Sequence, residues 1–139
     1  MAQQIHSGHR DRLKQRFLQQ GLDGFTDIQA LELLLFYSIP RQDTNPIAHR
    51  LLDHFGSLSQ VLEASAEELM RIGGISEHTA VLLTLMNQMG RFYLVDKARR
   101  EQVLPTIADC ARYLQPYFYG RLKETVYLLC LDAKCKALC

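Results

Sequence analysis

Apolar residues recur at helical spacing in the first part of the chain, between charged and polar positions. Residues 8–20 follow this pattern and predict a first amphipathic helix, which Gly21 ends. Thr26 and Gln29 stand at the spacing of a capping box and predict the start of a second helix. We expect that helix to stop before Pro40, because the residue before a proline is pushed out of the α-helical region.

Further start signals follow in the middle of the chain. Pro46 suits the first turn of a third helix, and Ser57 and Ser65 each precede a Gln or Glu at capping-box spacing. Ser76 predicts the start of a long helix that runs toward Lys97. Since its apolar residues cover more than one face, we expect it to be the central and most buried helix.

The composition changes beyond this long helix. Residues 97–102 are charged and Pro105 interrupts the helical pattern, which predicts a linker. Thr106 and Asp109 predict the cap of one more helix, and we expect that helix to end around Pro116.

Residues 125–131 (TVYLLCL) are apolar along the whole run and rich in β-branched and aromatic side chains. This run predicts a strand, followed by a turn at 132–134 and a second strand from 135. A strand of this kind is expected to be covered on both faces, and a two-stranded hairpin alone is marginal in water. We therefore interpret residues 101–139 as the start of a truncated second domain, after a helical domain over 1–100.

Overall composition is that of an ordinary globular protein and gives no general attraction to nucleic acid. Apolar residues make up 47% and charged residues 22%, with a formal net charge of +1. Attraction to an acidic partner must therefore come from local clusters of basic residues. The N-terminus has no apolar signal-peptide core and no apolar run is long enough to span a bilayer, so we predict a cytoplasmic chain without membrane contact.

Two features near the C-terminus bear on partners and metals. The exposed edge of the predicted strand is expected to pair with a second copy, giving a homodimer. The spacing of Cys130, Cys135 and Cys139 lacks the C-x2-C pair usual in zinc sites, and Cys110 stands apart. Reduced thiols are therefore favoured over a zinc site, and no cofactor is predicted in this segment.

Residues 71–80 (RIGGISEHTA) have the sequence pattern of a helix-hairpin-helix element. Glycine lets the chain turn and lets a phosphate oxygen approach main-chain N–H groups, while the following helix adds unpaired donors and its dipole. Ile75 is expected to fill the core between the two helices. The predicted nucleic-acid-binding positions are Gly73, Gly74, Ile75, Ser76, Glu77 and His78.

The alternative is a joint between helices that serves packing alone, which is common for glycine-rich turns. Ser76 bears on this choice, since the usual helix-hairpin-helix turn reads Gly-apolar-Gly and Ser76 replaces the second glycine. Serine can cap the helix and donate to a phosphate, but it resists a left-handed backbone. The substitution weakens the prediction of DNA binding.

Two further sets of residues have a nucleic-acid interpretation and a structural one. Basic residues crowd the first helix, where they would follow a phosphate backbone or form a solvated face: Arg10, Arg12, Lys14 and Arg16. Aromatic residues in and just after the last predicted helix would stack unpaired bases or, as favoured, pack into the core and the interdomain joint: Tyr113, Tyr117, Phe118 and Tyr119.

A longer stretch, residues 46–75, resembles the tandem helix-hairpin-helix domains of DNA-repair nucleases and related proteins. In those domains a Phe-Gly-Ser-Leu segment, here residues 55–58, joins the two hairpins. By this resemblance residues 38–44 occupy a first, degenerate hairpin, in which Arg41 meets a phosphate or is a solvated loop charge.

Three segments in this order, 8–17 (GHRDRLKQRF), 32–41 (ELLLFYSIPR) and 43–49 (DTNPIAH), resemble the RadC family. The resemblance implies a mainly α fold, with a tandem helix-hairpin-helix domain followed by a helix and one or two strands of a truncated JAB/MPN-like α/β domain. Residues 124–134 (ETVYLLCLDAK) are similar to the opening strand of that metallohydrolase-like domain. The family's zinc motif, His-x-His-Pro-Ser followed by an Asp, has no counterpart among the scattered histidines, which are His6, His9, His49, His54 and His78.

The sequence therefore predicts a chain that binds DNA backbones without sequence specificity, in repair or recombination. The alternative is a helical scaffold that positions a metal-dependent JAB-type hydrolase domain. Catalysis, with zinc as the implied cofactor, would belong to that downstream domain, since no catalytic or metal-ligating residue is assigned in these 139 residues.

Overall fold

The structure is a computed structural model that describes residues 2–99, 103–121 and 123–138, with side chains from residue 8 onward. Helices dominate these ranges, so the prediction of a mainly helical chain is confirmed. They are α1 (Ala2–Gln20), α2 (Asp27–Leu35), α3 (Asn45–Phe55), α4 (Leu58–Glu63), α5 (Ala66–Met70), α6 (Glu77–Ala98) and α7 (Ile107–Phe118).

Most of these helices begin where the capping signals predict. Thr26, Ser65 and Thr106 each close a capping box, in which the side chain accepts a backbone N–H three residues on and the third residue returns the bond. Ser57 also accepts the N–H of Gln60, but the Gln60 side chain bonds the Ser57 hydroxyl, so this box is only half formed. These starts are readable from sequence because each bond spans three residues.

The chain divides into two compact units, Met1–Thr84 and Leu85–Cys139. The core of the first unit lies where α2 packs on α3 and α3 on α4, with contributions from α5 and the start of α6. Its buried members are Leu31, Leu35, Ile39, Ile47, Ala48, Leu51, Val61, Leu69, Ile75, Ala80 and Leu83. The domain boundary predicted at residue 100 stays a prediction, and residues 100–102 lie outside the described ranges.

Helix α1 begins earlier than residue 8 and packs on α2 around a second, smaller core. Leu13 of α1 contacts this cluster together with Leu33 and Phe36, and Phe25 covers it. Leu13 therefore faces the protein as its spacing predicts, whereas Phe17 is 41% and Leu18 74% exposed.

The expectation that α6 is the most buried helix is wrong. Buried positions occur only near its start, at Thr79, Ala80 and Leu83. Farther along, Phe92 is 68% and Tyr93 63% exposed. Apolar residues on several faces predict burial only if several neighbours cover them, and the core of the first unit meets only the first two turns.

The predicted strand over residues 125–131 does not form a ladder. Among the described residues, pairing is limited to two isolated antiparallel bridges, Leu131 with Ala137 and Val103 with Lys136. A tight turn lies between the paired segments, as predicted, with the Asp132 carboxylate accepting the N–H of Lys134 at 2.8 Å. An apolar run supplies strand propensity, but a ladder also needs a partner along its length.

Helix α7 passes through Pro116 and ends at Phe118, two residues later than predicted. Its aromatic residues divide between interior and surface. Tyr113 is 8% exposed, so its predicted role in core packing is confirmed, whereas Phe118 and Tyr119 are about half exposed.

Candidate nucleic-acid interface

The turn between α5 and α6 lies where the sequence predicts the hairpin. We call residues 71–78 the hairpin turn. Gly74 has a φ of 96°, which a residue with a side chain rarely adopts. Ile75 is 7% exposed, belongs to the core cluster and donates its N–H to the Ile72 carbonyl at 3.1 Å. The apolar residue of the turn therefore anchors it to the protein, as predicted.

Ser76 does not adopt the left-handed backbone that serine resists, which is the conformation that weakened the prediction of DNA binding. Among the described residues, Cys135 is the one non-glycine position with a positive φ, so the positive φ of the hairpin turn falls on Gly74. The Ser76 hydroxyl accepts the N–H of Thr79 at 3.3 Å and caps the start of α6. Serine is well suited to this cap, and its presence is compatible with the turn.

Five of the six predicted hairpin positions lie together on the surface: Gly73, Gly74, Ser76, Glu77 and His78 are exposed, and Ile75 is buried. The first N–H groups of a helix have no partner four residues earlier within that helix. The Thr79 N–H bonds the Ser76 hydroxyl, so the donors that face an incoming ligand are those of the exposed Ser76, Glu77 and His78, at the positive end of the α6 dipole. This arrangement suits an anion, although the Glu77 carboxylate opposes one.

The structure adds two arginines that the sequence reasoning missed. Arg50 of α3 donates from Nη2 to the Gly73 carbonyl at 2.9 Å, and Arg71 lies at the start of the turn. Together with Asp53, His54 and the turn itself they line a shallow depression of about 400 Å³. Arg50 is one helical turn beyond Ile47, which packs against Gly74, but that long-range contact has no local sequence signal.

Arg10 and Arg16 of the basic first helix form hydrogen bonds that hold other segments of the first unit in place. Arg10 donates to the carbonyls of Ile39 at 2.7 Å, Pro40 at 3.0 Å and Gln42 at 2.5 Å, and its guanidinium lies 4.7 Å from the centre of the Phe36 ring. These bonds hold the connection between α2 and α3 from α1.

Arg16 makes a similar set of contacts at the other end of α2. It donates to the Gly24 carbonyl at 2.5 Å and to Gln29 Oε1 at 3.2 Å, and it lies over the Phe25 ring. Arg12 and Arg41 are exposed and Lys14 is half exposed. The basic positions thus separate into two structural arginines and three solvent-facing cations.

A buried carboxylate explains the position of His9. The Glu32 side chain is 2% exposed, and its Oε1 lies 3.0 Å from His9 Nε2. Its second oxygen accepts a bond from Asn45 Nδ2 at 3.4 Å. Because an unpaired buried charge is strongly destabilising, His9 and Asn45 serve the joint between α1, α2 and α3.

No metal centre is assembled by the part of the chain that the structure describes. No three His, Cys, Asp or Glu side chains there group closely enough to hold a metal ion. Cys110, Cys130 and Cys135 are free thiols of intermediate exposure. Cys139 and the His6 side chain lie outside the described residues.

Comparison with known proteins gives the family. The family model described as UPF0758 N-terminal matches residues 6–81, more than half of the chain. The chain belongs to the UPF0758 family. The matched residues include α2 to α5 and the hairpin turn.

Two members of the UPF0758 family illustrate the similarity. A protein of Fusobacterium nucleatum subsp. nucleatum is 36% identical over 104 residues, which is 75% of this chain and 45% of that protein. One of Ruegeria pomeroyi is 33% identical over 126 residues, 91% of this chain and 56% of that protein. The chain thus spans about half the length of these relatives, and no solved structure matches it.

Within the described residues, no helix combines the length and the apolarity needed to cross a membrane. The predicted cytoplasmic location and the predicted nucleic-acid-binding positions stay predictions, as do the tandem helix-hairpin-helix assignment and the JAB/MPN-like start.

Proposed function

We propose that the chain binds DNA backbones without sequence specificity, through the hairpin turn of its first unit. The observation that supports this best is that different residues of the turn form the bend, anchor it in the core and face solvent. Gly74 takes the positive φ and Ile75 anchors the turn in the core, while Ser76, Glu77 and His78 at the start of α6 are exposed. Contacts of this type recognise phosphate and contain no base information.

Nearby charges support modest affinity. Arg50 and Arg71 flank the turn, while Asp53 and Glu77 lie close to the same surface. Arg12, Lys14 and Arg41 supply further solvent-facing cations on the first unit. We expect Arg10 and Arg16 to affect DNA binding only by positioning the segments that they hold.

The proposal agrees with the resemblance to the RadC family, in which a helical domain of this kind precedes a JAB/MPN-type hydrolase domain. A role in DNA repair or recombination follows from that resemblance. Membership of the UPF0758 family supports the shared helical part and says nothing of the reaction.

Gly73 offers a test that leaves the fold intact. A Cβ at Gly73 meets nothing within 4 Å, whereas a Cβ at Gly74 would lie 3.0 Å from Ile47 Cδ1. Gly73→Asp places a negative charge at the phosphate approach, and Gly73→Asn has the same shape without the charge. We expect Gly73→Asp to bind DNA about fivefold more weakly than Gly73→Asn, since one unfavourable charge near a phosphate costs about 1 kcal/mol.

Fluorescence anisotropy with duplex, single-stranded and branched DNA at low salt measures this difference. The affinity of the unmodified chain should fall steeply as salt is raised, because neutralised phosphates release counterions. Equal affinity of the Asp and Asn variants on all three DNAs would rule out the hairpin turn as the contact.

A second candidate function is supported by the surface of the second unit. Val126 is 94% and Leu128 85% exposed along an extended, apolar segment. Such side chains are expected to be covered by another part of a longer protein or by a partner. On this proposal the chain is a scaffold that positions a metal-dependent hydrolase domain, and a folded Gly73→Asp variant with unchanged DNA affinity would favour it.

A further inference from the structure

Two adjoining cavities of the second unit share Arg91 and Arg121 in their walls. One has a volume of about 250 Å³ and is also lined by Phe92, Arg99 and Tyr117. The other, of about 420 Å³, extends past the same two arginines to Lys123. We call this continuous surface the arginine groove and define it by Arg91, Phe92, Arg99, Arg121 and Lys123.

The arginine groove concentrates positive charge. Four cations line the two cavities, against the carboxylates of Asp96 and Glu124. This local excess of two charges stands in a chain whose formal net charge is only +1. Local clustering of this kind is what attracts polyanions when the overall charge does not.

Arg121 is held in position by aromatic residues. Its Nη2 donates to the Tyr127 hydroxyl at 3.0 Å, and that hydroxyl donates to the Tyr117 carbonyl at 3.1 Å. The Tyr127 ring packs edge-on against Phe118 at 5.0 Å between centroids. A guanidinium has five N–H donors, so this bond orients Arg121 and leaves its fork able to meet a phosphate.

Two further arginines extend the positive surface. Arg91 donates from Nη2 to Gln88 on the same helix at 3.0 Å, which fixes its direction. A hydrogen bond with Tyr117 raises the pKa of Arg99, so that group is charged at every pH of interest. Arginine is better suited than lysine to planar, two-point contacts with phosphate.

Phe92 adds an aromatic surface to the groove. It lines the smaller cavity and 68% of its surface is exposed, so most of this side chain is open to a ligand. A positively charged groove combined with an exposed ring is the arrangement by which proteins bind unpaired strands, since every base can stack on an aromatic face.

We propose that the arginine groove binds unpaired nucleotides of a single-stranded nucleic acid, with phosphates at Arg91 and Arg121 and a base on Phe92. All of the observations lie in the second unit. The proposal is therefore independent of the hairpin turn and would stand if DNA binding by the first unit failed.

The test uses the full chain with the Gly73→Asp substitution as background, so that any contribution of the hairpin turn is reduced. Binding of a labelled 15-nucleotide thymidine oligomer is measured by anisotropy. We expect Arg91→Gln/Arg121→Gln to weaken binding at least tenfold and to reduce the salt slope by about 1.4, which corresponds to about 0.7 per phosphate contact on a single strand. Phe92→Ala should weaken binding about thirtyfold, since one stacked base contributes about 2 kcal/mol in the middle of its range.

The matched control is Arg112→Gln/Lys134→Gln, which removes two exposed positive charges of the same unit outside the groove. Equal losses in the control and the groove variant would overturn the proposal. Single variants Arg91→Gln and Arg121→Gln, checked by circular dichroism, separate loss of contact from loss of the Tyr127 bond.

Competition identifies the chemistry that is recognised. Thymidine monophosphate should displace the oligomer at lower concentration than inorganic phosphate, because it supplies both the ring and the phosphate. Equal displacement by inorganic phosphate, or displacement by polyglutamate as effective as by unlabelled oligomer, would overturn the assignment to nucleotides.

Discussion

A single guanidinium, that of Arg10, joins α1 to three carbonyl groups of the connection between α2 and α3. The sequence shows a cation in a basic run, and a basic run is usually interpreted through solvent or phosphate. The acceptors lie about thirty residues away and are backbone atoms, so no local pattern announces them. The sequence predicts a positive charge at position 10, but it does not predict which groups that charge binds.

Arg10→Lys tests this structural use while keeping the charge. Lysine cannot reproduce the fork that bonds several carbonyls, so we expect the free energy of unfolding to fall by about 1–2 kcal/mol. Urea denaturation measures the loss, with the exposed Arg12→Lys as control, where we expect a change within about 0.5 kcal/mol. A similar result for both variants would show that the Arg10 bonds contribute no stability.

At the scale of the helices and strands, the sequence predicts best where the helices begin. Ser65 and Thr106 were identified from residues three positions apart, and both close the expected boxes. The extent of burial along α6 and the pairing of residues 125–131 were not predicted correctly, because each depends on neighbours distant in sequence. The candidate site divides in the same way: the turn was predicted, whereas Arg50 was found only through its contact with Gly73.

Two of the capping boxes predict an acid-sensitive fold. The hydrogen bond from the Ser65 hydroxyl lowers the pKa of Glu68, and that from Thr106 lowers the pKa of Asp109. The folded state therefore binds these protons less readily than the unfolded state. The stabilisation is complete above the ordinary pKa values, 4.5 for Glu68 and 3.8 for Asp109, and is lost as pH falls through the lowered values.

We expect the free energy of unfolding to decrease as pH drops below about 4.5, and to decrease less in Glu68→Gln/Asp109→Asn. Thermal unfolding followed by circular dichroism between pH 6 and about pH 2 measures both curves. Glu67→Gln is the control, because this neighbouring carboxylate does not close a capping box. Parallel curves for the double variant and the unmodified chain would contradict the account.

At the scale of the whole molecule, the two units differ in how much apolar surface they cover. The first has a continuous core from α2 to α6. The second leaves Val126, Leu128 and Ile107 largely exposed. Large exposed apolar surfaces are rare on monomers and mark places of association. The sequence pattern predicts where α7 and the apolar segment of the second unit lie, but it does not predict which surface covers them.

We predict that the chain dimerises through residues 125–131, because an extended apolar segment with exposed side chains can pair with a second copy. Light scattering should report a dimer for the unmodified chain and a monomer for Val126→Lys/Leu128→Lys. Ile107→Lys, at a position 90% exposed on α7, is the matched control and should remain dimeric. A monomeric unmodified chain would refute the prediction.

The two glycines of the hairpin turn are constrained in different ways, and this has a consequence for how the family varies. Gly74 is required by its positive φ and by Ile47, so folding by itself is enough to retain glycine there. Gly73 has an ordinary backbone and open space around its missing side chain. Glycine retained at position 73 through long divergence would therefore record a demand that the fold itself does not make, such as the close approach of another molecule.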